Sequence, residues 1–296
     1  MQEISYLLRV FIAMSAGIVA NVGLLLQKYA INKLPEGEKV GKKLFKMPIW
    51  LLGIIIGAIL GAVLFFLANT HQWGVGPGLV PGLSAFGLII MAIGSIKLLK
   101  ERINRQDILG ILLMIGGIAL LGLTELVIKV EDPAMLDAGW LLRAGIFTGT
   151  LVAISIFCQL IQKRSEKYRG ILFTIFSGSM FAISNLWVAA VMGLFGPVFG
   201  AGQYIGLFTI TSIILVVTNV VGIYKMQQAF QHGDASKLIP LQQLPIQIGP
   251  IFVYFAIFIL IPPKTYSFPF MIIAIVLIIA SSFFLGRRQA QLEEIK

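Results

Sequence analysis

The side chains able to act on a solute in this chain are amides and lysines set inside long apolar runs. Asn21, Gln27 and Lys28 fall in the first run, Asn69 closes the second, and Ser184 and Asn185 lie in a later one. Asn219, Tyr224, Lys225, Gln227 and Gln228 follow, then Gln242, Gln243 and Gln247. An amide both donates and accepts hydrogen bonds, so such a set suits a polar or hydrated solute without fixing its charge. Polar groups within lipid cost free energy and tend to face a bundle interior or a cavity. Lys28 and Lys225 either snorkel to the interface or reach the cavity and favour an anionic group. The candidate substrate-binding residues are Asn21, Gln27, Lys28, Asn69, Ser184, Asn185, Asn219, Tyr224, Lys225, Gln228, Gln242 and Gln243. Hydrogen bonding between helices is the alternative role for each.

No reactive constellation accompanies them. Glu125 sits near the end of the fourth run and Glu101 just past the third. The sequence offers no carboxylate pair for acid–base work, no His-rich metal pattern and no Ser–His–Asp set. Catalysis, catalytic residues, a metal site and a cofactor are therefore not expected. His71 and His232 are single and loop-borne, with proton sensing as their functional reading. Cys158, the one cysteine, excludes an internal disulfide and reads as packing.

The elements that must position these residues follow from composition. Of 296 residues, 58% are hydrophobic and 12% charged, with a mean hydropathy of +0.93. That is half the charge of a soluble domain, which at this length could not bury so much apolar surface in one core. About 20 apolar residues are needed to cross the hydrocarbon layer as helix. Nine runs qualify: 5–32, 49–70, 79–98, 108–127, 139–161, 170–194, 204–229, 238–261 and 268–286. The expected fold is an all-α integral membrane bundle of about nine transmembrane helices, because backbone polar groups in lipid must be satisfied within each segment. Met1–Tyr6 lacks a basic leader and no small-residue cleavage site follows, so the first run is expected to remain a helix.

The net charge of +10 calls for no nucleic-acid partner, since basic residues concentrate in alternate loops. Lys33, Lys39, Lys42, Lys43 and Lys46 follow the first run. Lys97, Lys100, Arg102 and Arg105 follow the third, Lys163, Arg164, Lys167 and Arg169 the fifth, and Arg287, Arg288 and Lys296 form the tail. The other side carries chiefly Lys129 and Lys264, beside Glu131, Asp132 and Asp137. This places the N-terminus outside a cell membrane and the tail, 287–296, in the cytoplasm as a short solvated extension. Gly53, Gly57 and Gly61, and then Gly145 and Gly149, form small-residue stripes. They predict close helix packing within the bundle, with a homodimer as the other use.

An internal repeat is also legible. FFLANTHQWGVGPGLVPGLSAFG (65–87) is echoed 159 positions later by YKMQQAFQHGDASKLIPLQQLPI (224–246), with Gly74 on Gly233, Leu79 on Leu238 and Pro81 on Pro240. Ser15-Ala16-Gly17 likewise lies against Ser177-Gly178-Ser179. A first repeat, 5–127, and a second, 170–286, then flank a connector helix, 139–161. An odd connector inverts the second unit, and inverted repeats mark transporters with a substrate site at the repeat interface. Pro81 and Pro240 lie a few residues into the third and eighth spans, where a first helical turn tolerates proline. The functional reading is that Gly74–Gly78 and Gly233 loosen these entrances and expose helix N-termini to ligand. The two loops are expected to be outer and inner mouths of one pathway. The cavity is expected between spans one, three, six and eight, with polar ends from two and seven.

LLQKYAINKLP (25–35), LKERINRQDILGILLMIGGIALL (99–121) and YKMQQAFQHGDASKLIPLQQLP (224–245) resemble the drug/metabolite transporter superfamily, EamA-like, and within it the NIPA-type magnesium transporters. Glu101-Arg102 with Gly110, Gly116 and Gly117, Lys28 closing the first span, and the polar segment Lys225 to Pro240 carry the likeness. It implies a transporter, with Mg²⁺ as cargo. NIPA-type sequences have an acidic residue and an asparagine in the second span, where this chain has GAILGAVLFF (57–66). Mg²⁺ favours oxygen ligands that include carboxylate. The expected function is alternating-access transport of a small polar solute, with Mg²⁺, an anionic metabolite and a lipid headgroup as rival cargoes. A non-transporting scaffold or sensor is the alternative from another class.

Overall fold

A computed structural model of the chain describes residues 6–35, 43–69, 80–126, 128 and 136–295. They form helices and connecting turns without strands; this is an all-α integral membrane protein. Eight described helices are long and apolar enough to cross a membrane: α1 (Tyr6–Ile31), α2 (Pro48–Ala68), α4 (Arg105–Leu123), α5 (Ala138–Ile161), α6 (Arg169–Ala201), α7 (Ile205–His232), α8 (Ala235–Ile257) and α9 (Ser267–Glu293). The expected third span is a shorter element, α3, built from Val80–Ser84 and Gly87–Lys97. It is broken at Ala85 and Phe86, so the single span expected over 79–98 is corrected to two pieces.

Glycine decides where helices meet. A Cβ on Gly23 of α1 would lie 2.4 Å from Gly57 Cα, and one on Gly53 would lie 2.7 Å from the Gly23 carbonyl. The α2 stripe thus packs backbone to backbone against α1, as expected of small residues in membrane helices. Gly17 of α1 meets Ser84 and Gly87 of α3, where an added Cβ would stand 1.9 Å from the Ser84 carbonyl oxygen. Gly178 of α6 meets Gln242 and Pro245 of α8 in the same way, at 2.6 and 2.4 Å. Gly145 and Gly149 of α5, by contrast, have open space beside them.

Among the described residues there are two large apolar cores and a small third one of Ala13, Ala68 and Val80. One joins α1, α3, α4, α7, α8 and α9 through Met91, Ile118, Phe230, Leu238 and Ile278. The other joins α5, α6 and the end of α8 through Trp140, Ile183, Leu186 and Val253. α4 starts with a capping box, in which Asn104 Oδ1 accepts from Asp107 N and Asp107 Oδ2 accepts from Asn104 N. α5 starts on Asp137, whose carboxylate accepts from Trp140 N at 2.6 Å.

Several boundaries move. The final helix runs to Ile295, so the tail expected to be a solvated extension continues the last helix, with Gln289 and Ala290 buried. The second polar stretch, 224–246, is almost wholly helical: α7 continues to His232 and α8 begins at Ala235. Pro240 is therefore an interior proline of α8, beyond the first turn, followed by Pro245 and Pro250. Residues 70–79 of the first stretch, with His71, lie outside the described residues.

Candidate functional site

A cavity of about 280 Å³ lies between α1, α2, α6, α7 and α8. Helical periodicity builds it. Ala20, Leu24 and Gln27 form a stripe on α1; Ile54, Gly57 and Ala58 face them from α2; and Asn219, Ile223, Met226 and Gln227 supply the α7 wall. Phe181 of α6 and Gln242 and Ile246 of α8 close it. Positions spaced by three and four residues share one helix face, so each wall is a single stripe.

The amides at the cavity are oriented by partners that can play one role only. Gln27 Nε2 donates to the Gly53 carbonyl at 3.2 Å, which turns Gln27 Oε1 toward Gln227 Nε2 at 2.6 Å. Gln227 Oε1 then accepts from Trp50 Nε1 at 3.0 Å. A donor-only indole at one end and a carbonyl at the other fix the direction of this relay between α2, α7 and α1. On the opposite wall, Ser177 Oγ donates to the Gly222 carbonyl at 2.7 Å, so it can only accept from Gln242 Nε2, also 2.7 Å away. Asn219 Nδ2 donates to the Leu215 carbonyl and to Ser184 Oγ. Among the described residues, no hydrogen bond reaches Gln242 Oε1 or Asn219 Oδ1.

The two lysines are held elsewhere. Lys28 Nζ, buried, donates to the carbonyls of Phe230 and, at 2.8 Å, of Gly233. It caps the C-terminal end of α7, where unpaired carbonyls and the helix dipole attract a cation. Lys225 Nζ donates to Gln159 Oε1 on α5 and lies 4.8 Å from the Phe176 ring centre and 5.1 Å from that of Phe173. Neither side chain lines the cavity. In the structure each ammonium has a partner on a neighbouring helix, and neither reaches the cavity.

Lys28 belongs to a polar cluster that ties one end of the bundle together. Lys237 Nζ, fully buried, lies 3.0 Å from Asp234 Oδ2 and 3.6 Å from Asp107 Oδ2. The buried Asp107 Oδ1 has no hydrogen-bond partner among the described residues. Glu101 follows Lys100, which holds a left-handed φ of 58°. Its carboxylate accepts from Ala235 N at 2.7 Å and Ser236 N at 3.0 Å, capping the first turn of α8. Gln289 Oε1 accepts from Asp234 N at 3.2 Å, and Glu293 Oε2 accepts from Gly170 N at 2.9 Å. Six helices and the α3–α4 link are joined through these groups.

Of the candidate residues, Gln27, Asn219 and Gln242 line the cavity, and Ser184 supports Asn219. Asn21 is buried on α1 against Gly87 of α3, its Nδ2 on the Gly17 carbonyl. Gln243 pairs with Gln247 at 3.0 Å, and Gln228 with the exposed Tyr224 at 3.4 Å. Asn185 is exposed on α6. The side chain of Asn69 lies outside those described. α3 gives no lining residue and α7 gives four, which corrects the expected walls. Gln227, Trp50 and Ser177 were not among the candidates. Gln227 lies eight residues after Asn219, and that spacing marks the same face.

No family model matches the chain, and no solved structure matches it. It is similar to NIPA-like protein 2 of Mus musculus, 26% identical over 250 residues, which cover 81% of this chain and 62% of the relative. It is also similar to NIPA-like protein 2 of Homo sapiens, 24% identical over 257 residues, covering 83% and 64%. The chain thus spans less than two thirds of the length of these curated relatives. The likeness extends over most of the chain and accords with a multi-pass membrane protein.

Proposed function

We propose that the chain is a membrane transporter whose small solute occupies the cavity between α1, α2, α6, α7 and α8. One observation carries this reading: in a bundle held together by apolar packing, four amide side chains from three helices converge on one cavity, and two of their oxygens are left open. A scaffold or sensor would be expected to pair its amides with one another and to leave no cavity between them. Similarity to NIPA-like protein 2 supports the same class.

The mechanism proposed is alternating access between α1–α4 and α6–α9, with α5 as connector. Similar close crossings support an inverted repeat: Gly17 meets α3 at Ser84 and Gly87, while Gly178, one position off in the aligned segment, meets α8 at Gln242 and Pro245. We assign the cluster of Lys28, Glu101, Asp107, Asp234 and Lys237 to the cytoplasmic end, a reading that the charge along the chain supports. There it acts as a closed gate. Mg²⁺ as cargo rests on family likeness; at this cavity its water shell would meet amide oxygens without a carboxylate.

A test uses single-cysteine protein, Cys158→Ala with Ile223→Cys, in sealed vesicles of known orientation. A small uncharged thiol reagent, supplied on one side with a membrane-impermeant thiol quencher on the other, is expected to modify position 223 from either side. Modification from one side alone overturns alternating access at this cavity.

A further inference from the structure

We infer that the cavity takes an uncharged solute: a small molecule with an apolar body and one or two N–H or O–H donors. This deepens the proposed function and rests on it. The volume, about 280 Å³, is at the lower edge of pockets for drug-sized ligands, about 300–1,000 Å³, so the solute is small. The thirteen lining residues include no ionisable side chain. The nearby charges are already committed: Lys28 to the α7 carbonyls, Lys225 to Gln159 and two phenyl rings, and Asp107 and Asp234 to Lys237. An ion entering this space would lose its hydration without a counter-charge, a cost that isolated charges in low dielectric do not recover.

The polar groups specify donors on the solute. Ser177 turns the Gln242 amide so that its oxygen is the open atom, and Leu215 and Ser184 do the same for Asn219. Gln242 is only 4% exposed, and its partnerless Oε1 is not among the buried atoms, so what remains accessible includes the acceptor that a solute would cover. A solute lacking a donor leaves it unpaired, and such mismatches are rejected more strongly than missing apolar contact. Leu24, Ile54, Phe181, Ile223, Met226 and Ile246 supply the surface for the apolar body.

Three probes of one shape separate the charge classes: phenylacetamide, phenylacetate and 2-phenylethylammonium, with MgCl₂ as a fourth. Purified protein in detergent is melted with each at equal, increasing concentrations, since a ligand of the folded state raises stability by mass action. The expected result is a saturable rise in melting temperature with phenylacetamide, at least threefold larger than with either organic ion. Gln242→Leu and Asn219→Leu abolish that rise. Their unliganded melting curves report whether they fold, and either variant alone suffices. An equal or larger rise with an ion or Mg²⁺ that depends on Gln242 or Asn219 overturns the uncharged class and leaves transport standing. No rise with phenylacetamide also overturns it. Two-sided access at Ile223→Cys is read separately, so binding without two-sided access would instead remove transport.

Discussion

At the scale of single residues, this protein spends its ionisable side chains on holding helix ends. Lys28 caps α7, Glu101 caps α8, and Asp107 both caps α4 and faces Lys237. A buried pair of this kind adds little over an apolar pair but is costly to break. Lys237→Met leaves Asp107 charged and uncompensated, and should lower stability by roughly 3–5 kcal/mol. Adding Asp107→Asn keeps an acceptor for the Asn104 cap while removing the charge, and should restore most of the loss. Thermal unfolding of both variants in detergent checks this. A double variant no more stable than Lys237→Met would mean that the ion pair is not the source of the effect.

At the scale of elements, helix glycines that look alike in sequence are used differently. Gly17 sits where an added Cβ would be 1.9 Å from a carbonyl oxygen of α3, whereas Gly145 has nothing within 4 Å. Gly17→Ala must therefore push α1 and α3 apart, at a cost of about 1–3 kcal/mol typical of overpacking. Gly145→Ala should be neutral or stabilising by up to about 1 kcal/mol, because alanine is the better helix former. Melting temperatures of the two variants decide the matter, and equal losses would contradict the packing described. The interior prolines of α8 belong to the same scale. Each removes an N–H from the helix ladder and frees a carbonyl one turn earlier, and Pro245 also supplies the surface against which Gly178 closes.

At the scale of the whole molecule, the proposed mechanism makes the polar cluster and the cavity one system: a gate and the chamber that it guards. Under the proposed mechanism, loosening the end should change access to the chamber. Glu101→Ala removes the acceptor from two buried N–H groups at the start of α8, each worth about 1–3 kcal/mol when left unpaired. The Ile223→Cys site should then react about tenfold faster with a reagent supplied from the cytoplasmic side, and at an unchanged rate from the other. Equal rates with and without Glu101 would separate the cluster from gating. Glu101-Arg102 was visible as a motif in sequence, but its partner was not, since Ala235 lies 134 positions away.

The sequence by itself determined that this chain crosses a membrane as a helical bundle, where most spans lie, and which residue types are available for recognition. Those properties are local. Twenty apolar residues must span as helix, and the three-to-four-residue spacing of Asn219, Ile223, Met226 and Gln227 puts them on one face whatever surrounds them. Only the tertiary structure decided which faces meet. Gln27 and Gln227 are 200 positions apart, and Lys28 is 205 from the carbonyl that it caps. The same lysine could have served a solute, the interface or a helix end. Packing chose among them, because a glycine crossing sets how deep each side chain lies and therefore which partner it can reach.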